Sequence, residues 1–189
     1  TKLAATVLKE QQRCHKIRMS NADSVNYPPS VDCNDVGALS PKAQGSITKA
    51  ETKLSSTAQK KCDGVASAPS ALGFVTCGAP CASVPITSSY TSVAACLSCQ
   101  IRGLVSELDV ARYGTPPDPP VQSEANDVVV CQAAIGGVAK KLAFTIMKIQ
   151  QKCQYQEDLG SLSADCMTYD PKGTVAKVAS RILGVLNGR

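Results

Sequence analysis

Ten cysteines carry nearly all the chemistry that the residue types of this chain allow. Two close pairs, Cys77-x3-Cys81 and Cys96-x2-Cys99, stand 14 residues apart. Four thiolates so spaced can hold a tetrahedral zinc ion. The same four can also pin a loop onto a helix as two disulfides. Six further cysteines lie outside the pattern, and this favours disulfides throughout, in an oxidising compartment, with no metal and no cofactor. A dithiol-redox role for Cys96 and Cys99 would need a βαβ setting, which the chain lacks. His15 is the one histidine, and it is read as a surface residue near a helix C-terminus. There is no Cys-x-x-Cys-His haem motif, no Gly-rich phosphate loop and no zinc-protease motif. Glu107, Asp109 and Glu124 are scattered on polar faces rather than paired in a cleft. The chain therefore reads as non-enzymatic.

The elements that must position these cysteines come from a duplication. KLAATVLKEQQRC, Lys2 to Cys14, recurs as KLAFTIMKIQQKC, Lys141 to Cys153, with eight of thirteen positions identical. Internal repeats precede any fold assignment. In the first copy a helix runs from residue 2 to about 19, with Leu3, Val7, Cys14 and Ile17 on one stripe and Lys2, Lys9 and Arg13 facing water. Asn21 and the Tyr27-Pro28-Pro29 turn end it. A loop with Ser30-Val31-Asp32-Cys33 follows. Ser40 then caps a helix that starts at Pro41, whose missing N–H is not needed there. Ala43, Ile47, Ala50, Leu54, Ala58 and Cys62 form its stripe.

The second copy repeats this plan. Ser123 is placed to cap a helix to about Gln156, with Cys131, Ile135, Val138, Leu142, Ile146, Ile149 and Cys153 in near-heptad register. Gly136-Gly137 inside it calls for a closely packed neighbouring backbone. Ser163-Ala164-Asp165-Cys166 echoes the first loop, and Asp170 caps a last helix predicted to begin at Pro171. Between the copies, residues 63–90 are rich in Ser, Ala, Pro and Gly. A central helix over about 92–113 carries Val93, Leu97, Ile101, Leu104 and Leu108 in register, and prolines 116, 117, 119 and 120 make a stiff connector. The expected fold is all-α: about five helices in a single domain, 1–189, with hairpins over 1–62 and 121–189 and a Cys-rich loop, central helix and connector over 63–120.

The loop cysteines follow the ends of the first helices, so Cys14–Cys33 and Cys153–Cys166 are expected, each stabilising by about 3 kcal/mol through loop closure. A loop doubling back over a helix start gives nested bonds, Cys81–Cys96 inside Cys77–Cys99, with the crossed pairing as the alternative. Cys62 and Cys131 remain. In a helical hairpin the start of one helix lies beside the end of the other, so Cys62–Cys131 is expected.

Apolar content is ordinary, but there is no Trp, with two Phe and five Tyr. Such a core suits thin, closely packed helices better than a deep ligand pocket. The net charge of +5 is spread over helix faces, and the basic residues lack the interleaved aromatics of single-strand nucleic-acid binders. No stretch is apolar enough to span a membrane. A start at Thr1 fits a mature form without its signal peptide, or a trimmed fragment.

Cys131 to Cys153, Pro41 to Cys62, Leu72-Gly73-Phe74, Ala94 to Cys99 and Tyr113-Gly114-Thr115-Pro116 together resemble uncharacterised cysteine-rich helical-repeat proteins predicted to be secreted by environmental bacteria of the deltaproteobacterial kind. The resemblance covers most of the chain and implies secretion and repeat architecture, without an activity. Taken with the residues, it points to a non-enzymatic secreted structural protein of the cell exterior that self-associates into a filament or surface array. The alternative is a monomeric secreted binding module for an envelope polymer or small ligand.

Overall fold

A computed structural model describes residues 2–20, 25–28, 30–62, 68–113 and 126–187. The protein is all-α, and the described residues form five α-helices: α1 (Lys2–Ser20), α2 (Pro41–Cys62), α3 (Tyr90–Tyr113), α4 (Asn126–Asp158) and α5 (Thr174–Asn187). Among the described residues there is no strand. Asn21, Ser123, Glu124 and the proline connector lie outside those residues. The chain divides into two compact units, Lys2–Val129 and Val130–Arg189, where the sequence suggests a single domain.

The first unit is a three-helix arrangement in which α1, α2 and α3 all pack pairwise. Leu3, Ala4, Val7, Leu8 and Cys14 of α1 are buried together with Ala43 and Ile47 of α2 and Val93, Ala94 and Val105 of α3. The start of α2 is built as the sequence suggests. Ser40 Oγ accepts from the Ala43 N–H (3.4 Å), and the buried Tyr27 hydroxyl meets Ser40 Oγ at 2.9 Å. The Gln44 amide donates to the carbonyls of Gly37 and Leu39, both at 2.7 Å, and fixes the short 3-10 turn Val36–Ala38 on the helix.

The second unit is the hairpin of α4 and α5. α4 ends where Gly160 turns left-handed at φ +67°, a conformation that costs glycine nothing. Asp170 caps α5, but the helix begins at Thr174 rather than Pro171. The Asp170 carboxylate reaches past a turn to accept from the N–H groups of Thr174 and Val175, both at 2.8 Å, and Gly173 at φ +59° makes that turn. The two carboxylate oxygens thus satisfy two of the donors that every helix start leaves open.

The duplication is visible in hydrogen bonds as well as in sequence. Gln11 Nε2 donates to the Asn34 carbonyl (2.8 Å) and Gln150 Nε2 to the Met167 carbonyl (3.3 Å). The N–H of Asn34 donates to Asp32 Oδ1 (2.8 Å) and that of Met167 to Asp165 Oδ1 (3.0 Å). The shared Asp-Cys therefore forms an Asx turn that presents the loop cysteine to the helix.

Four disulfides are formed: Cys14–Cys33, Cys153–Cys166, Cys77–Cys96 and Cys81–Cys99. The first two are the expected hairpin staples. The nested pairs Cys81–Cys96 and Cys77–Cys99 are not present. Residues 77–81 run alongside α3 in its own direction, and the chain doubles back only afterwards, over 82–89. This is the crossed alternative, and the Gln100 amide, donating to the carbonyls of Gly78 (2.6 Å) and Ala79 (3.2 Å), anchors the segment on α3. The pairing spends all four sulfurs that a zinc ion would need. Cys62 and Cys131 are both free thiols, so the expected Cys62–Cys131 bond is not present. Each folds within a different unit, built on that unit's own contacts. At Gly137 nothing among the described residues lies within 4 Å of where a Cβ would stand, whereas Gly136 beside it is buried.

The two hairpin staples have unequal work. Replacing both cysteines of a pair by alanine removes about 3 kcal/mol of loop-closure stabilisation in each case. In the first unit a three-helix core remains, so Cys14→Ala/Cys33→Ala keeps slow hydrogen exchange over residues 41–58. The second unit has only two helices, so Cys153→Ala/Cys166→Ala loses protection throughout 174–187. Equal protection of 174–187 in that variant and the parent would contradict this account.

Candidate functional site: two helix faces and a buried polar cluster

No sequence-derived catalytic constellation forms, but one polar cluster sits where none is expected. His15 is buried rather than on the surface. Its ring stacks on Tyr113 with centroids 3.8 Å apart and planes 11° from parallel, and its Nε2 donates to Asn34 Oδ1 at 2.8 Å. The last turn of α3 covers it, which a reading of α1 alone cannot show. Asp109 is also fully buried rather than on a polar face. Its Oδ1 accepts from Arg112 Nη1 at 2.7 Å, and Arg112 Nη2 donates to the Tyr113 hydroxyl at 3.1 Å. Among the described residues, Asp109 Oδ2 and Arg112 Nε have no hydrogen-bond partner.

Burial sets the proton affinities here. It pushes the His15 pKa down to about 4 against the opposing hydrogen bond from Asn34, with Arg18 and Arg112 adding in the same direction. It lifts Asp109 to about 6 even though Arg112 pulls the other way. Burial raises Tyr113 as well. The imidazole is therefore neutral at pH 7. The His15–Tyr113 ring stack joins the end of α1 to the end of α3, and the Asp109–Arg112 ion pair lies within α3, where Arg112 also reaches the Tyr113 hydroxyl. Its chemistry is that of a structural clasp.

A groove of about 810 Å³ lies between α2 and α3, lined by Thr48, Thr52, Ser55, Ala95 and Ser98, with the Glu51–Arg102 ion pair across it. Thr52 Oγ1 donates to the Thr48 carbonyl (2.9 Å), so that hydroxyl is satisfied within α2. Glu51 Oε1 accepts from Arg102 Nε (2.8 Å) and from Ser98, which ties the two helices together and uses the carboxylate internally.

Two apolar helix faces are left open instead. On α3 the row Leu97, Ile101, Leu104, Leu108 reads as a core stripe, yet Leu97 is 39% and Leu104 64% exposed. The buried side of α3 is made by Tyr90, Val93, Ala94, Cys96, Val105 and Asp109. The helix has two apolar sides, and the smaller one took the core. On α4, Leu142, Ala143, Ile146 and Met147 are only half-buried, although their counterparts Leu3, Ala4, Val7 and Leu8 are at most 4% exposed. Clefts of about 80 Å³ and 380 Å³ open along α4, the first beside α5 and the second beside residues 167–170 and the start of α5. Leu183, Tyr155, Leu159 and Met167 add exposed apolar surface in the same unit.

No protein-family model, no curated protein and no solved structure matches this chain.

His15 gives the cluster a readable pH signature. Its folded pKa lies below the ordinary value, so between about 6.5 and 4 the unfolded chain binds the proton more readily, and the parent loses stability as pH falls through that window. Asp109, raised to about 6, acts in the opposite sense. His15→Gln removes the first effect alone. Its stability relative to the parent is therefore expected to improve as pH is lowered from 6.5 to 4, by up to about 3 kcal/mol. Chemical denaturation of both proteins across that range measures it, and a constant difference would refute the assignment.

Proposed function

We propose that this protein is a non-enzymatic, secreted structural subunit that self-associates into an extracellular filament or surface array. The observation that carries the reading is the unequal burial of the two copies of one sequence. The segment starting at Lys2, in a unit where α1, α2 and α3 pack pairwise, is enclosed; the segment starting at Lys141, whose own unit holds α4 and α5, keeps its apolar stripe half open. A helical hairpin cannot bury its apolar stripe alone, and stacked repeats solve this by lending each other a face. A molecule with one completed and one incomplete unit is built to be completed by contact. The resemblance to secreted bacterial repeat proteins points the same way.

Four disulfides support an oxidising setting, since such bonds persist outside the reducing cytosol. Among the described residues no helix is long and apolar enough to cross a membrane. The polar groups of the α2–α3 groove and of the His15 cluster are largely engaged with each other, which leaves the apolar faces as the surfaces offered to a partner.

Light scattering on size-fractionated protein tests the reading. The mass is expected to rise above 19.7 kDa with concentration and to do so with all four disulfides intact. A mass fixed at the monomer value up to millimolar concentration would remove self-association and leave the monomeric binding module.

A further inference from the structure

We infer that the second unit holds a binding site for a phenol ring, in the cleft where α4, residues 167–170 and the start of α5 meet. The cleft measures about 380 Å³, the size of a small-molecule site, and is lined by Ile146, Ile149 and Gln150 of α4, Tyr169 and Asp170 of the loop and Val175 of α5. All six residues belong to one unit. This site goes beyond self-association and does not rest on it.

The first unit shows what this place lacks. Val7, Glu10 and Gln11 are the repeat counterparts of Ile146, Ile149 and Gln150, and all three are buried. Around the start of α2, Tyr27, Val36 and Leu39 are buried as well. Counted from the loop cysteine of each copy, Tyr27 falls on Gly160, Val36 on Tyr169 and Leu39 on the exposed Lys172. The second helix is also shorter. α2 opens six residues before Ile47, whereas α5 opens one residue before Val175, the matching position. The turn that carries the buried Ala43 therefore has no helical counterpart. A ring, a leucine and a helical turn are missing around one helix start, and Ile146, Ile149 and Gln150 stay half-buried there.

The class of ligand follows from the missing ring. The Tyr27 hydroxyl meets the residue that caps α2, Ser40 Oγ, at 2.9 Å. The cap of α5 is kept as Asp170, whose two carboxylate oxygens each accept one backbone N–H at 2.8 Å. A carboxylate has about four lone-pair sites, so each oxygen retains one for a further donor. A phenolic O–H supplies that donor, and a carboxylate accepts it more strongly than a serine hydroxyl does. The isoleucines and Val175 give the ring its apolar walls. The shared chemistry is one aromatic ring with one O–H, carried either by a free small phenol or by the tyrosyl side chain of a peptide.

Amide NMR of the full-length protein, titrated with p-cresol, tests the site. Saturable shifts are expected at residues 146–150, 167–170 and 174–176. The compound 4-methylanisole keeps the ring but has no O–H to donate, and it is expected to bind about tenfold more weakly. N-acetyl-tyrosinamide separates the two sources: affinity equal to that of p-cresol or better assigns a tyrosyl side chain, and weaker binding assigns a free phenol. Ala176→Phe and Met167→Trp both alter exposed residues that line the cleft, and each fills it from a different wall. Circular dichroism checks that each variant folds, and each folded variant is expected to bind p-cresol about tenfold more weakly than the parent. No saturable shift at these residues with either phenol, equal binding of 4-methylanisole, or unchanged binding by the filled variants would overturn the site.

Discussion

A pair of amphipathic helices has two apolar stripes and only one mutual contact, so part of each stripe always needs a third body. That constraint runs through this protein. In the first unit α3 is the third body, and it brings with it the aromatic stack of His15 on Tyr113 and the buried Asp109–Arg112 pair. In the second unit the hairpin has α5 and a disulfide. Cys153 is fully buried there, as Cys14 is in the first unit, while the apolar residues upstream of it remain half open. Covalent closure at one end substitutes for burial along the length.

The parts of the fold that depend on local pattern were legible in the sequence. The helices followed from apolar spacing, the start of α2 from Ser40-Pro41, and the two hairpin staples from the repeated Asp-Cys, whose Asx turn proves to be the reason the motif recurs. The parts that depend on which side of a helix meets which neighbour were not. α3 carries Leu97, Ile101, Leu104 and Leu108 on one side and Tyr90, Val93, Ala94 and Val105 on another, and period alone cannot choose between them. The side with Ala94 and the two valines went inward, against α1 and α2. His15 and Asp109 were misplaced for the same reason. Their polarity suggests solvent, and only their position under the end of α3, or within it, shows the partners that make burial tolerable. Residues 77–81 run along α3 in its own direction, which gives the crossed alternative, Cys77–Cys96 and Cys81–Cys99, and cysteine spacing alone does not choose between the two pairings.

The His15 clasp and the Glu51–Arg102–Ser98 network share a logic. Each places a polar link between helices whose apolar contact is made of small residues. With Ala43, Ala94 and Ala4 in the interface, helices can slide along one another at little cost, since alanine gives few interlocking shapes. A directional link between fixed positions resists such sliding: the ring stack holds α1 at the last residue of α3, and Glu51 of α2 holds the middle of α3 through Arg102.

The disulfides also change how the chain carries tension. Each loop they close is bypassed by a covalent shortcut, because a pull along the backbone passes from Cys14 straight to Cys33, from Cys77 to Cys96 and on to Cys99, and from Cys153 to Cys166. The bypassed residues cannot pay out when the chain is stretched, and at about 3.4 Å each they withhold roughly 150 Å of contour length. The yielding parts are then the helices and the segments between units. Under load the chain therefore lengthens by unwinding helices, while the cross-linked loops stay closed.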